Sequence, residues 1–477
     1  MATLLVAGFM NLIDVTIVNV ALPSLRSDFG ASANQIEWVA AIYILVFALV
    51  LVPGGRYGDL LGRRRVFLWG VCVFTLGSAL CGMAPSISTL LAARVLQAVG
   101  AALMTPQTMA IVPAIFPPEE RGAAFAAFGF AAGLASVAGP LLGGLLIQLD
   151  LFGLDWRPIF LVNVPVGLLA VVLALRFVPR VGGRADARND FVGIALAALT
   201  LFLVIFPLID GRQIGWPWWC YAAMASALPL AGVFVWWQKR QAARGAPQLL
   251  PAELLGSRNF LVGIAVGTLL FSGMPGFFFL MALFLQEGYG LTALQSGLTT
   301  IPFPVGVLLA SIIAGRLGNR WMRRRISIGG GMMALAMLML SFLVRHLGGV
   351  LERLELIAPL LLGGLGLGTA VSPLFNTILS NVNVSDTGSA SGVLQAFQRL
   401  GGALGIAIVG WVFFTLLGGQ DAARTAYDRA FSTAILYNVT VFCIISGLIW
   451  LLPRPKGQEV GAEHERCESS PKPAAAE

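Results

Sequence analysis

The chain alternates long apolar stretches with short polar joints. A helix rises about 1.5 Å per residue, so about 20 apolar residues are needed to cross the hydrocarbon core of a bilayer. On that criterion fourteen spans are expected. The first six lie near 3–24, 36–55, 66–84, 88–114, 122–149 and 158–178, and two follow near 190–209 and 217–238. The last six fall near 259–286, 294–316, 326–345, 355–380, 388–417 and 431–452.

Composition agrees with that pattern. Of 477 residues 57% are hydrophobic and 11% charged, whereas soluble proteins carry about 25% charged residues. Such a chain could not cover a globular surface with polar groups, so much of its surface must face lipid. The net charge of +8 sits in short clusters between apolar stretches, which argues for topology-setting loops and against a nucleic-acid partner. With the N-terminus placed in the cytoplasm, 22 basic residues fall on the inner side, among them Arg63–Arg65 and Arg323–Arg325, and 7 on the outer side. Cytoplasmic loops carry the excess of Lys and Arg, so both termini are expected in the cytoplasm of a bacterial inner-membrane protein.

Other chemistry is excluded in turn. Cys72, Cys81, Cys220, Cys443 and Cys467 form no CxxC pair, and His346 and His464 stand apart, so neither a disulfide framework nor a metal site is expected. No cleavable leader is expected either, because the first apolar run lacks a basic flank and contains Asp14 and Asn19. No phosphate loop of the form G-x-x-x-x-G-K-[ST] occurs, so ATP is not the expected energy source. With no catalytic cluster and no cofactor motif, the chain is not expected to be an enzyme.

An internal repeat is present. Gly30-Ala-Ser-Ala-Asn-Gln35 matches Gly290-Leu-Thr-Ala-Leu-Gln295 at a shift of 260, and Gly55–Arg65 matches Gly315–Arg325 at the same shift with six of eleven positions identical. Thr105-Pro106 answers Ser372-Pro373. Repeats of this kind build many transporters. The expected all-α organisation is a six-helix half (1–180), an inserted two-helix linker (181–258), a second six-helix half (259–453) and a disordered cytoplasmic tail (454–477).

Charged residues inside spans are functional candidates because they are costly in lipid. Asp14 lies midway along the first span, as a proton switch or a structural hydrogen-bonding group. Arg94 and Gln97, three residues apart on the fourth span, share a helix face. Arg94 could set the proton affinity of a carboxylate, with Asp14 the first choice, or simply bond backbone carbonyls. In Gly55-x-x-x-Asp59-x-x-Gly62-Arg63-Arg-Arg, the glycines permit a turn and close packing, and Asp59 can satisfy free backbone N–H groups or pair with an Arg. In the fifth span Gly129, Gly133, Gly139, Gly143 and Gly144 make a smooth groove, and Pro140 removes a backbone bond.

Taken together, these segments resemble the major facilitator superfamily. The Gly55–Arg65 run resembles its second-to-third-helix signature, which acts as a cytoplasmic gate latch, so Gly55, Asp59, Gly62 and Arg63 are assigned to the gate. The C-half copy has Asn319 in place of the acid, so the stronger latch is expected in the N-half. Leu12–Pro23 and Asp155–Pro165 resemble the fourteen-helix drug:proton antiporter branch. The Arg94 segment resembles the fourth-helix proton-transfer motif, with Ala98 where Gly is usual. Ala135–Gly144 resembles the fifth-helix motif of exporters (Gly139, Pro140, Gly143, Gly144), with Ala135 in place of its first Gly.

That resemblance implies a proton-coupled antiporter that exports amphiphilic small molecules, as a monomer, without a cofactor. A dedicated exporter of one metabolite fits the same features, and an uptake symporter fits the fold but not the fifth span. A periplasmic adaptor is compatible with the family, though nothing in the chain encodes one. Tyr43, Gln97, Asn163, Phe375, Asn376, Gln395, Gln398 and Arg399 are expected on the cavity wall between the halves. The thirteenth span holds Gln395, Gln398 and Arg399 and no acid between Gly388 and Leu417, so poor transport of dications is expected.

Overall fold

A computed structural model describes the chain except for residues 151–152, 181–189, 212–213, 318–320, 348–352, 381, 383–385, 418–423 and 452–477. Among the described residues all regular structure is helical. The N-terminal part comprises α1 (Ala2–Phe29), α2 (Ala33–Leu61), α3 (Arg63–Gly82), α4 (Ile87–Ile115), α5 (Pro118–Gln148), α6 (Pro158–Leu161) and α7 (Asn163–Phe177). Then come α8 (Phe191–Asp210), α9 (Trp218–Ala243) and the short α10 (Ala252–Gly256). The C-terminal part comprises α11 (Arg258–Leu283), α12 (Ala293–Thr300), α13 (Pro302–Leu317), α14 (Met322–Leu347), α15 (Ile357–Ser380), α16 (Thr387–Leu417), α17 (Arg424–Ala434) and α18 (Leu436–Leu448).

Local chemistry explains the boundaries. Gly30 and Gly290 take left-handed φ values of 57° and 65°, a conformation that costs Gly nothing. Two residues on, Ser32 and Thr292 each close a capping box with Gln35 and Gln295, satisfying orphan N–H groups at the start of α2 and α12. The 260-residue repeat is therefore a repeat of cap geometry. Ser86 and Thr89 form a third box at the head of α4.

The structure corrects the loop assignments. Only Gly62, with φ 94°, separates α2 from α3, so Arg63–Arg65 form the first turn of a helix rather than a loop. Arg26, Arg345, Arg424 and Arg429 likewise lie within α1, α14 and α17, because helices run on past the apolar windows that define them. Three predicted spans each comprise two consecutive helices that meet at Val162, Ile301 and Ile435, where the backbone keeps right-handed helical angles, so each is still one span. Among the described residues twelve helices are long and apolar enough to cross a membrane, or thirteen if α1, bent by 44°, is one span. The 31-residue α5 is a further long helix outside that set, so the expected count of fourteen is approximate. Asn319 and the 454–477 tail lie outside the described residues, as does 181–189 at the start of the expected linker.

Packing follows the repeat. α2 runs along α16, and α5 runs along α12 and α13. The second span of each half thus meets the fifth of the other, giving two seams related by a pseudo-twofold. α1 packs on α5, α3 on α4 and α7, α11 on α16 and α18, and α14 on α15. α8 touches both α2 and α16, and α9 lies against α8. Only 22% of the apolar window of α8 and 11% of that of α9 is buried, against 39–56% elsewhere. Trp236, Leu228 and Tyr221 on α9 are exposed, as a helix that is apolar on most sides requires when its surroundings are lipid. One end of this hairpin is held by polar bonds: Asp190 accepts from Trp237 Nε1 at 3.0 Å and Gln238 Nε2 at 2.7 Å.

Candidate functional site

The apolar core of the N-terminal half closes around one ion pair. Asp14 Oδ2 accepts from Arg94 Nη1 at 2.7 Å, and the two side chains are 0% and 1% exposed. At that burial the pair has no solvent to compensate either charge, so every remaining polar atom needs a protein partner. They are supplied. Asp14 Oδ1 accepts from Gln97 Nε2 at 2.7 Å and from Asn163 Nδ2 at 3.0 Å. Arg94 donates through Nη1 to Gln97 Oε1 at 2.6 Å and through Nε to the Val39 carbonyl at 3.1 Å. Gln97 also donates to Ser78 Oγ at 2.8 Å. Arg94 thus pairs with a carboxylate and also bonds a backbone carbonyl.

Aromatic rings complete this cluster. The Arg94 guanidinium lies 4.3 Å from the Tyr43 ring centroid and 5.7 Å from that of Phe160, where the ring quadrupole attracts a cation. Tyr43 donates to Asn11 Oδ1 at 2.5 Å, and Asn11 donates to Thr105 Oγ1 at 3.2 Å. Six helices therefore contribute: α1, α2, α3, α4, α6 and α7. Tyr43, Gln97 and Asn163 belong to this buried cluster. Ser78, Asn11 and Phe160 were not anticipated, and single polar or aromatic residues within apolar helices give little signal.

A second constellation joins the halves at the α2–α3 turn. Asp59 Oδ1 accepts from the Gly388 amide at 2.9 Å, and Oδ2 accepts from the Ser389 amide at 2.8 Å and hydroxyl at 2.9 Å. Arg63 bonds Asp59 at 3.3 Å and the Ala110 carbonyl at 2.8 Å. A carboxylate on the first turn of α16 meets the positive end of that helix. The helices approach closely enough that a Cβ on Gly55 would lie 2.2 Å from the Gly388 carbonyl oxygen. Sequence reasoning missed Gly388 and Ser389; the small-residue run Gly388-Ser-Ala-Ser-Gly392 was the available signal.

The fifth-helix glycines serve α1. A Cβ on Gly139 would lie 1.9 Å from Thr16 Oγ1, and one on Gly143 would lie 2.9 Å from Ile17. Thr16, two residues from Asp14, donates to the Ala135 carbonyl at 3.1 Å. Gly144 faces open space, and the Pro140 ring is outside the described side chains. The remaining candidates lie in the C-terminal half. Phe375 and Asn376 are buried on α15, with Phe375 6.3 Å from the Phe271 ring. Gln395 is buried and Gln398 and Arg399 half-buried on α16, and the Arg399 guanidinium lies 4.6 Å from the Phe47 centroid on α2.

A model of the Major Facilitator Superfamily matches residues 4–406, most of the chain. The chain belongs to the major facilitator superfamily. This major facilitator is a multi-pass membrane transporter and not an enzyme. It is 40% identical over 426 residues to a probable actinorhodin transporter of Streptomyces coelicolor, covering 89% of this chain and 73% of that one. It is 33% identical over 415 residues to the multidrug resistance protein Stp of Mycobacterium tuberculosis, covering 86% and 75%. Its fold is similar to that of the proton:xylose symporter XylE, with a TM-score of 0.66, 15% identity and 97% and 98% coverage; that likeness concerns the fold alone.

Proposed function

We propose that this transporter exports amphiphilic small molecules across the bacterial cytoplasmic membrane in exchange for protons, as a fourteen-helix member of its superfamily with both termini inside. The observation that carries the proposal is the buried Asp14–Arg94 pair. All its partners come from within one half, so it forms a discrete switch. A proton on Asp14 Oδ2 removes the anion that Arg94 faces, while Gln97 and the Val39 carbonyl still hold the guanidinium. The lost attraction shifts α1 relative to α4, and α1 carries the Gly139–Gly143 contact to α5 at one seam.

In this scheme residues 1–180 and 259–453 are the rocking halves, 181–258 an inserted linker, and 454–477 a cytoplasmic tail. The α2–α3 turn is the cytoplasmic end, and Asp59 latches it shut while bound to α16. Export as the direction is supported by the fifth-helix motif and by relatives named for antibiotic transport and multidrug resistance. A dedicated exporter of one metabolite is the second reading, favoured by a relative named for a single compound.

The test is proton release from everted vesicles, acid inside, on adding a panel of amphiphiles. Release by wild type and none by Asp14→Asn supports coupling at Asp14. Release by both moves the coupling elsewhere, and silence with protein confirmed in the membrane rejects antiport of the panel.

A further inference from the structure

α16 carries a cluster of donors that the proton switch and latch leave unused. Gln395, Gln398 and Arg399 are three and four residues apart, so they share one helix face. That face turns toward α2: a Cβ on Gly392 would lie 2.6 Å from the Leu51 carbonyl, and two turns further the Arg399 guanidinium lies over Phe47. Gln395 is 6% exposed, yet its Nε2 has no hydrogen-bond partner, and neither has the buried Nε2 of Gln398. Buried amide donors normally have acceptors.

Arg399 faces the same deficit in charge. Among the described residues it forms no ion pair; α11 to α16 and α18 contain no Asp or Glu. Asp428 on α17 bonds Tyr289 at 3.2 Å, and Glu287 is exposed. Asp386 precedes α16, about 20 Å along the axis at the rise of a helix. Across the seam, Asp14 is held by Arg94, Gln97 and Asn163, and Asp59 by Gly388, Ser389 and Arg63. A cation and two unanswered N–H donors on one face ask for an acceptor from outside the protein. Aromatic surface is offered by the partly exposed Phe271, whose carbonyl lies 3.7 Å from a Cβ on Gly402 one turn on and whose ring pairs with Phe375; Phe47 is itself buried beneath the guanidinium.

We propose that the substrate class is a flat aromatic anion, a carboxylate or phenolate, whose oxygens are taken by Arg399 with Gln395 and Gln398 while its rings lie against Phe271. This rests on the exporter reading and deepens it, since it gives that exporter's cargo a charge. A monocation of the same size would meet a like charge at Arg399.

The test is equilibrium binding to the purified full chain in detergent, followed by fluorescence anisotropy, with fluorescein as the aromatic anion and ethidium as the aromatic cation. Fluorescein should bind saturably and ethidium at least about tenfold more weakly. Arg399→Gln should weaken fluorescein by about tenfold or more, the size expected for a charge-assisted hydrogen bond, without weakening ethidium. Arg399→Lys should retain most of the binding. Should Arg399→Gln not yield monodisperse protein, Gln395→Leu and Gln398→Leu remove donors without altering charge and should each weaken fluorescein. A preference for ethidium, or fluorescein binding indifferent to all these changes, overturns the proposal. So does complete displacement of fluorescein by millimolar chloride in gluconate buffer, which would make this an inorganic-anion site. Binding needs no proton gradient, so vesicles that fail to release protons would sink the antiport reading and leave this one standing.

Discussion

Asp59 caps α16 from across the seam, taking both the amide and the hydroxyl of Ser389 on one carboxylate oxygen, at 2.8 and 2.9 Å. The two residues are 330 positions apart. A charge-assisted hydrogen bond contributes about 1.5–3 kcal/mol, so Asp59→Ala should free the first turn of α16. Hydrogen exchange should then quicken in a peptide covering 387–392 and stay unchanged in α11. Unchanged exchange at 387–392 would mean that Asp59 does not hold the junction.

Arg94 and Asp14 should behave as a unit. Removing one member of a buried pair costs about 3–5 kcal/mol, because the other charge is left uncompensated. Asp14→Asn and Arg94→Gln should each lower the melting temperature of the purified protein. The double variant should be more stable than the sum of the two losses allows, as contacting residues in one network are not additive. Additive losses would show that the two groups are satisfied independently.

Thr16 sets the tolerance of α5. Gly139→Ala places a methyl on the Thr16 hydroxyl and should reduce efflux of a transported substrate at equal expression. Thr16→Ala removes that hydroxyl and should restore part of the loss, whereas Gly144→Ala, with open space around it, should be silent. An equal effect at Gly139 and Gly144 would rule out the α1 contact as the cause.

Asp190 ties α8 to α9, accepting from Trp237 and Gln238 and also from the Gly193 amide at 2.8 Å. Asp190→Ala strips three bonds at a buried position and should make a protease site engineered at 244–248, just past α9, more readily cut. Coupling at Asp14 should persist, because among the described residues no hydrogen bond joins the hairpin to that cluster. Loss of coupling would show the hairpin to be part of the switch.

How much of this was legible in the chain depends on the range of the interaction. Caps are local, so Gly30, Ser32 and Gln35 recurred in the sequence as part of the repeat, and the structure showed that repeat to be cap geometry. Buried charges are rare enough that Asp14 and Arg94 stood out, although their 2.7 Å contact depends on how α1 meets α4. Ser389 was silent because a hydroxyl among small residues has no signature until Asp59 arrives from the other half. Arg424 and Arg429 were read as loop because charge ends an apolar window without ending a helix.

The contact of α8 with both α2 and α16 has a consequence for traffic. It drapes a lipid-facing hairpin over one of two otherwise equivalent seams, and the α5–α13 seam has no such cover among the described residues. The pseudo-twofold is thereby broken in the plane of the bilayer. A molecule dissolved in the leaflet meets the α8–α9 hairpin on one flank of the transporter and the α5–α13 seam itself on the other.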